Sequence, residues 1–354
     1  MGFKTLVQRE RKQWLDAVRV FAMLLVILVH VSHVGWYDAP VDTASWKISN
    51  FYDAFSHICV PLFFMVSGAC FLMPSRTLTV KQLFFKYILR IVTAYVFWCS
   101  LYYIVVEGAF RPNFSLSACK TLVFNVMTKP YSHLWFMPVI AGMYILLPIL
   151  RQLAANRCTL LYFLAVTFFF SSICQPFFLH EKLTILANTA TQWGPDVSIW
   201  LFYPMAGYYL ATEDFSAKAR KILYALGIAG LAVTILGTQW QSVLEGAPNG
   251  AFMSYDYPNV ALAAGAVFVF IRYAWKQRDT VNFASKTVAF IAKYSFGAYL
   301  VHEFFNVILE SRGIVAWELG ALWATPFLTL GIAVASLAVS WLISKIPVIY
   351  RYIG

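Results

Sequence analysis

Ten apolar runs, each near the roughly 20 residues a helix needs to cross the bilayer core, recur along the chain. They fall at 14–36, 51–73, 84–107, 133–153, 159–177, 196–211, 219–238, 256–275, 287–310 and 321–344. The spacing predicts an all-α fold, a polytopic transmembrane helix bundle of about ten spans, the sixth of them short. Composition agrees: of 354 residues 60% are hydrophobic and 12% charged, with a mean hydropathy of +0.68, outside the range of a soluble domain. Phe, Tyr and Trp reach 18%, consistent with aromatic side chains at both bilayer interfaces as well as inside a bundle. No internal repeat, low-complexity linker or appended soluble domain stands out, so residues 1–354 read as a single membrane-embedded domain.

The net charge of +11 raises the question of nucleic acid, and the placement of the charges answers it. With the N-terminus inside, 18 of the 27 Lys and Arg lie on inner segments and six on outer ones, the asymmetry of the positive-inside rule. The basic balance is a topology signal that puts both termini in the cytoplasm, and no nucleic-acid partner is expected. The first span follows a basic head, but its run is too long for a signal peptide and lacks a small-x-small cleavage site, so it is expected to be retained. Of the six cysteines only Cys119 lies in an outer loop. No disulfide framework or metal-ligand spacing emerges, and no metal is expected.

The first span, "WLDAVRVFAMLLVILVHVSH" from Trp14 to His33, is apolar enough for lipid yet carries Asp16, Arg19, His30 and His33. Arg19 and His30 are 11 residues apart, which on a helix returns them to within about 20° of one face and separates them by roughly 16 Å along the axis. Arg19 then lies toward the cytoplasm and His30 beyond the midplane. An arginine at that depth costs about 2.5 kcal/mol or more unless it meets a partner or a polar cavity. One reading is that Asp16 neutralises Arg19 and the pair anchors the inner end of the helix. The other is a polar conduit through the bundle.

Other spans bear on that choice. His30, His33, His57, His133 and His302, five of the six histidines, fall on outer halves or outer ends of spans, which suggests a water-accessible outer chamber holding a titratable base. A neutral imidazole there suits abstraction of a proton from a hydroxyl. The planar guanidinium of Arg19 suits phosphate oxygens on the inner side. An elongated donor with phosphates at one end and a reactive acyl group at the other, the shape of an acyl-coenzyme A, would join the two.

Five pieces of sequence together resemble the acyltransferase-3 family of integral membrane acyltransferases. They are "DAVRVFAMLLVILVH", "VPLFFMVSG" (60–68), Arg90 in the basic approach to the third span, "HLWFMPVIAGMYILLPIL" (133–150) and "SFGAYLVHEFF" (295–305). The similarity covers most of the chain in the expected order and is greatest to bacterial inner-membrane O-acetyltransferases of lipid-linked glycans, the enterobacterial common antigen type. It implies a multi-pass protein of the bacterial inner membrane that moves an acetyl group from cytoplasmic acetyl-CoA to a sugar hydroxyl at the outer face. Carried over by motif, Arg19 and His30 would be the essential catalytic pair. Arg19, Arg90 and Ser67 would meet the donor; His133, Trp135, Tyr299 and His302, with His57 beside them, would line the acceptor. Gly68 and Ser295 match positions in the same runs. Whether His30 acts as general base or first accepts the acyl group is open at this level.

The pattern has departures. Ala69 and Cys70 follow Ser-Gly where the family usually has an aromatic residue, and Glu303 follows His302 where many members have Pro. Some relatives add a C-terminal hydrolase-like domain; this sequence ends shortly after its tenth run. Transfer is therefore expected within the membrane domain, or with a partner that is another copy or a glycan-assembly protein. The outer segment 108–132, with Arg111, Lys120 and Lys129, fits contact with an anionic acceptor or a solvated surface equally well. The rival class is a secondary transporter or flippase, for which intramembrane charges are ordinary, but no convincing pair of Gly/Pro-broken spans occurs in corresponding halves. A sensor or assembly factor without turnover is a third reading.

Overall fold

A computed structural model describes residues 13–109, 115–174, 198–276 and 283–353. The basic head, Arg111 and the stretch 175–197 lie outside the described residues. Regular structure among the described residues is helical throughout, with no strand, as expected where backbone groups in lipid must be satisfied within their own segment. The helices are α1 (Gln13–Asp38), α2 (Ala44–Ser56), α3 (Cys59–Phe71), α4 (Leu89–Val105), α5 (Leu116–Thr128), α6 (Phe136–Ala155) and α7 (Arg157–Phe168). Then follow α8 (Ile199–Thr212), α9 (Ala217–Glu245), α10 (Pro258–Lys276), α11 (Phe283–Glu310), α12 (Ala321–Ile343) and α13 (Pro347–Ile353).

Among the described residues, eight helical segments are long and apolar enough to cross a membrane. The other two runs read from the sequence fall on α8 and α11. Helix α8 has 14 residues, short for a full crossing. Helix α11 has 28 residues and carries Lys286, Lys293, Glu303 and Glu310. Both are packed inside the bundle, α8 against α3 and α11 against α1 and α12, so protein rather than lipid surrounds much of their polar surface. Helix α1 touches α2, α3, α10, α11 and α12. Arg19 and His30 therefore sit on the hub of the fold.

The second run is not one continuous helix. Helix α2 ends at His57, whose N–H bonds Ala54 O at 3.4 Å, and α3 begins two residues later. Pro61 has no N–H to offer the carbonyl of His57, so the break falls where the ladder cannot continue. A network then pins α2 to its neighbours: Trp46 Nε1 donates to Trp36 O (2.9 Å), Trp36 Nε1 to Asn50 Oδ1 (3.2 Å) and Asn50 Nδ2 to Ile235 O (3.1 Å). This fixes Asp53 of α2 against His33 of α1.

Glycine sets the α3–α8 contact. A Cβ on Gly68 would overlap the backbone of Pro204, and one on Gly207 would overlap the backbone of Met65. Small residues are what let two helices approach so closely in a membrane, where packing replaces the hydrophobic drive. The close approach orients α3, so that Ser67 and Phe63 face the interior cavity. At the inner end, a π-helical segment Leu83–Ile88 leads into α4. Helix α13 docks on α4 through Thr93 Oγ1 to Tyr352 O (2.9 Å) and Trp98 Nε1 to Ile353 O (2.7 Å).

Candidate active site

Two cavities among the described residues gather the residues singled out from the sequence. One, called inner after the side that the charge pattern predicts to be cytoplasmic, has about 400 Å³ and is walled by Arg19 of α1, Ser67 of α3, Lys86, Arg90 of α4, Tyr144 of α6, Lys293 and Ser295 of α11, and Tyr350 of α13. Arg19 Nη1 donates to Asp16 Oδ1 at 3.0 Å and Nη2 to Cys70 Sγ at 3.1 Å. The anchoring pair is thus present, while the guanidinium still borders the cavity and its side chain is 36% exposed. Arg90 lies over the rings of Phe296 and Tyr350 at 5.6 and 5.8 Å. Four cationic side chains, Arg19, Lys86, Arg90 and Lys293, so converge on one pocket.

The outer chamber is smaller, about 160 Å³, and of opposite character: its wall holds His30, His33, His57, His133, Trp135 and Tyr255 with apolar residues and, among the described residues, no Lys or Arg. His30, His133 and His302 form a triangle of rings, with centroids 5.9 Å (His30–His133), 5.1 Å (His30–His302) and 4.8 Å (His133–His302) apart. His302 Nδ1 is 2.6 Å from Tyr299 O. A carbonyl only accepts, so Nδ1 carries the proton and Nε2 is left with its lone pair. That Nε2 and both ring nitrogens of His133 are buried without a hydrogen-bond partner among the described residues. Glu303 Oε2 approaches His30 Nδ1 at 3.7 Å. Donor atoms of His30, His302 and Glu303 lie within 4.8 Å of one another, so the same three side chains could also hold a cation, with wider spacing than the about 3.3 Å edge of a tetrahedral zinc shell.

The sequence suggests one passage shared by Arg19 and His30. The structure instead divides it: the two residues border separate cavities, and Phe63, Phe136 and Tyr299 belong to the walls of both. Rings from α3, α6 and α11 thus stand where the two cavities adjoin. The Tyr299 hydroxyl donates to His133 O at 2.6 Å, which fixes this ring in place.

Of the residues singled out from sequence, Arg19, Ser67 and Arg90 meet at the inner cavity, and His30, His57, His133 and Trp135 at the outer one. Tyr299 stands between them. His302 borders neither cavity and lies fully buried behind His30 and His133. Ser295 borders the inner cavity and bonds Ala292 O at 3.0 Å. Gly68 is a packing residue. Lys120 and Lys129 are exposed near α5.

Lys86, Lys293 and Tyr350 were not legible as cavity residues, because in the sequence Lys86 registers only as inner-side charge and Lys293 only as a charge within or at the end of a span. Asp53 was missed as well: its carboxylate is fully buried, 2.7 Å from His33 Nδ1 and 3.1 Å from His57 Nδ1. An acidic residue inside an apolar run is itself a functional signal, and Asp53 and Glu303 both carry it.

Fold and site together define a multi-pass membrane protein with a cationic pocket on one side of an aromatic wall and an imidazole cluster on the other. A family model described as an acyltransferase domain matches residues 12–345. The chain belongs to this acyltransferase-3 family, and as such is a membrane acyltransferase. No curated protein and no solved structure matches it.

Proposed function

We propose that the protein moves an acetyl group from acetyl-CoA to a hydroxyl of a cell-surface or lipid-linked glycan, as an O-acetyltransferase of the bacterial inner membrane with both termini cytoplasmic. The observation that carries this reading is the polarity of the two cavities about their shared wall. Phosphate oxygens are met by cations, and the inner pocket gathers four of them. A hydroxyl is met by a base, and the outer chamber presents imidazoles.

In this reading the thioester lies at the Phe63–Phe136–Tyr299 wall with its coenzyme portion toward Arg19 and Arg90. His30 takes the proton from the acceptor hydroxyl as its oxygen attacks the thioester carbonyl. The carbon–sulfur bond breaks and the departing thiolate takes the proton from His30, so that ester and free thiol leave and the imidazole is restored. Glu303, facing Nδ1 of the same ring, stabilises the imidazolium formed in between, and Nε2 is the working base. This base route is favoured over an acyl-histidine because a carboxylate beside the ring supports a protonated imidazole.

Isolated membranes given acetyl-labelled coenzyme A test the reading. Label appearing on glycan, and lost with His30→Ala, is the expected result. Solute uptake with no acyl transfer would replace it with the transporter alternative.

A further inference from the structure

The proposed mechanism makes no use of the His33–Asp53–His57 group, although it occupies one flank of the outer chamber. Asp53 Oδ2 is 2.7 Å from His33 Nδ1. His57 Nδ1 lies 3.1 Å from Asp53 Oδ1 and 2.9 Å from the backbone oxygen of the same residue. A carbonyl oxygen and an ionised carboxylate can only accept, so both rings carry a proton on Nδ1. In its neutral form each then has a bare lone pair at Nε2. Neither Nε2 makes a hydrogen bond among the described residues, and the two side chains remain 41% and 16% exposed while bordering the chamber. Two rings share one carboxylate, which can balance the charge of only one imidazolium, so at least one ring keeps its Nε2 lone pair for a donor.

The rest of the wall narrows the choice of occupant. Trp135 and Tyr255 stand with ring centroids 5.7 Å apart, and Tyr255 lies 5.8 Å from His57, an apolar surface beside the two histidines. Among the described residues no Lys or Arg borders the chamber to receive an anion, and the Asp53 carboxylate stands behind both histidines. At about 160 Å³ the space equals that of about five liquid waters, which admits one ring of a longer glycan. A hydroxyl donates to a bare lone pair and accepts from a protonated ring, so it satisfies either histidine. A carboxylate offers only acceptors and meets like charge.

We infer that His33 and His57, held in register by Asp53, form an acceptor subsite that binds an uncharged polyol ring through two of its hydroxyls and turns away an acidic sugar. The inference rests on the outer chamber being the acceptor side, as in the proposed function. Asp53 is a positioning residue here: it touches no substrate and acts through the two rings.

The test uses full-length protein purified in detergent, titrated calorimetrically with methyl glucoside and methyl glucuronide, which share a ring and differ by one carboxylate. The wild type should bind the glucoside at least roughly tenfold more tightly, since like-charge juxtaposition in a dry site is strongly unfavourable. Asp53→Asn should move that ratio toward one, because the charge is gone and the amide nitrogen of Asn turns one ring to the opposite tautomer. A merely structural defect would weaken both sugars and leave the ratio where it was. Should Asp53→Asn not fold, His33→Gln at the more exposed ring serves instead, with glucoside affinity falling and acetyl-CoA affinity unchanged. Equal affinity of the wild type for the two sugars, a ratio unmoved by Asp53→Asn, or glucoside binding indifferent to His33→Gln overturns the subsite. Acetyl-CoA titrated into the same protein reports on the transferase reading separately: discriminating sugar binding without acetyl-CoA binding upholds the subsite and sinks that reading, and the reverse sinks the subsite alone.

Discussion

Glu303 Oε2 faces His30 Nδ1 at 3.7 Å across the α1–α11 contact. The distance is beyond a hydrogen bond and within ion-pairing range. In the resting site the pair is loosely engaged, and it gains strength as His30 acquires a proton. That is the behaviour wanted of a group acting on the transition state more than on the ground state. His30→Ala should lower transfer by about 10²- to 10⁴-fold. Glu303→Gln keeps the shape and loses the charge, so kcat should drop about tenfold, or 1.4 kcal/mol, with little change in KM for acetyl-CoA. Equal loss in kcat and donor KM would assign Glu303 to folding instead.

His30, His302 and Glu303 are also the three residues whose donor atoms cluster within 4.8 Å. If the imidazole of His30 works as a base, prolonged dialysis against a chelator leaves the transfer rate unchanged. A loss of rate that zinc or manganese restores would mean that the cluster holds a cation and that His30 is a ligand.

In the proposed function Arg19 meets the donor from a position already braced by Asp16 at 3.0 Å and Cys70 at 3.1 Å. Charge-assisted hydrogen bonds contribute about 1.5–3 kcal/mol each. Arg19→Gln should therefore raise KM for acetyl-CoA by roughly 10- to 100-fold, with a smaller effect on kcat. Arg19→Lys should rescue only partly, since an ammonium cannot reproduce the fork of donors. A change confined to kcat would show that Arg19 serves the reacting centre and not donor binding.

Local periodicity was enough to place Arg19 and His30 on one face of α1, because an 11-residue separation is a property of any helix. The all-α character was equally legible, since long apolar runs leave few alternatives. What escaped is non-local. Asp53 gains its meaning only when the turn at 39–43 folds α2 back along α1, and nothing in the run 51–73 signals that His33 will be 2.7 Å away. Lys86 follows the positive-inside pattern as well as any surface lysine would, Lys293 reads as a charge at the end of a span, and only packing shows that they share a cavity with Arg19. The division of the passage into two was hidden for a related reason: Phe63, Phe136 and Tyr299 come from three distant helices, and each alone is an ordinary aromatic residue in a span.

The glycines of α3 and α8 offer a test of the scaffold. Gly68→Ala would press a methyl group onto the backbone of Pro204, and Gly207→Ala would do the same to Met65. Backbone cannot give way as a side-chain tip can, and overpacking costs about 1–3 kcal/mol. Both variants should unfold at lower temperature in detergent than the wild type. Gly142→Ala, where a Cβ meets nothing within 4 Å, is the matched control. Unchanged melting for Gly68→Ala would show that α3 and α8 are free to separate.

The aromatic wall bears on which acyl group is transferred. Phe136 sits 5.9 Å from Phe63 and 6.0 Å from Tyr299, ring centre to ring centre, and in the proposed function the acyl group passes among these three rings to reach His30 from the inner cavity. Tyr299 is held by its hydrogen bond to His133 O, so the opening is set mainly by the two phenylalanines. Each extra methylene that a fixed opening excludes is worth about 1–3 kcal/mol of discrimination. Wild-type protein should thus use acetyl-CoA in strong preference to butyryl-CoA. Phe136→Ala should reduce that preference roughly tenfold or more, chiefly by raising the butyryl rate; Phe63→Leu, a smaller change, should act in the same direction. Competition between the two labelled donors in one membrane preparation measures the ratio directly and is insensitive to how much of the variant is folded. Butyryl transfer as fast as acetyl in the wild type, or a ratio unaltered by Phe136→Ala, would mean that the acyl group reaches His30 by a route that bypasses these rings.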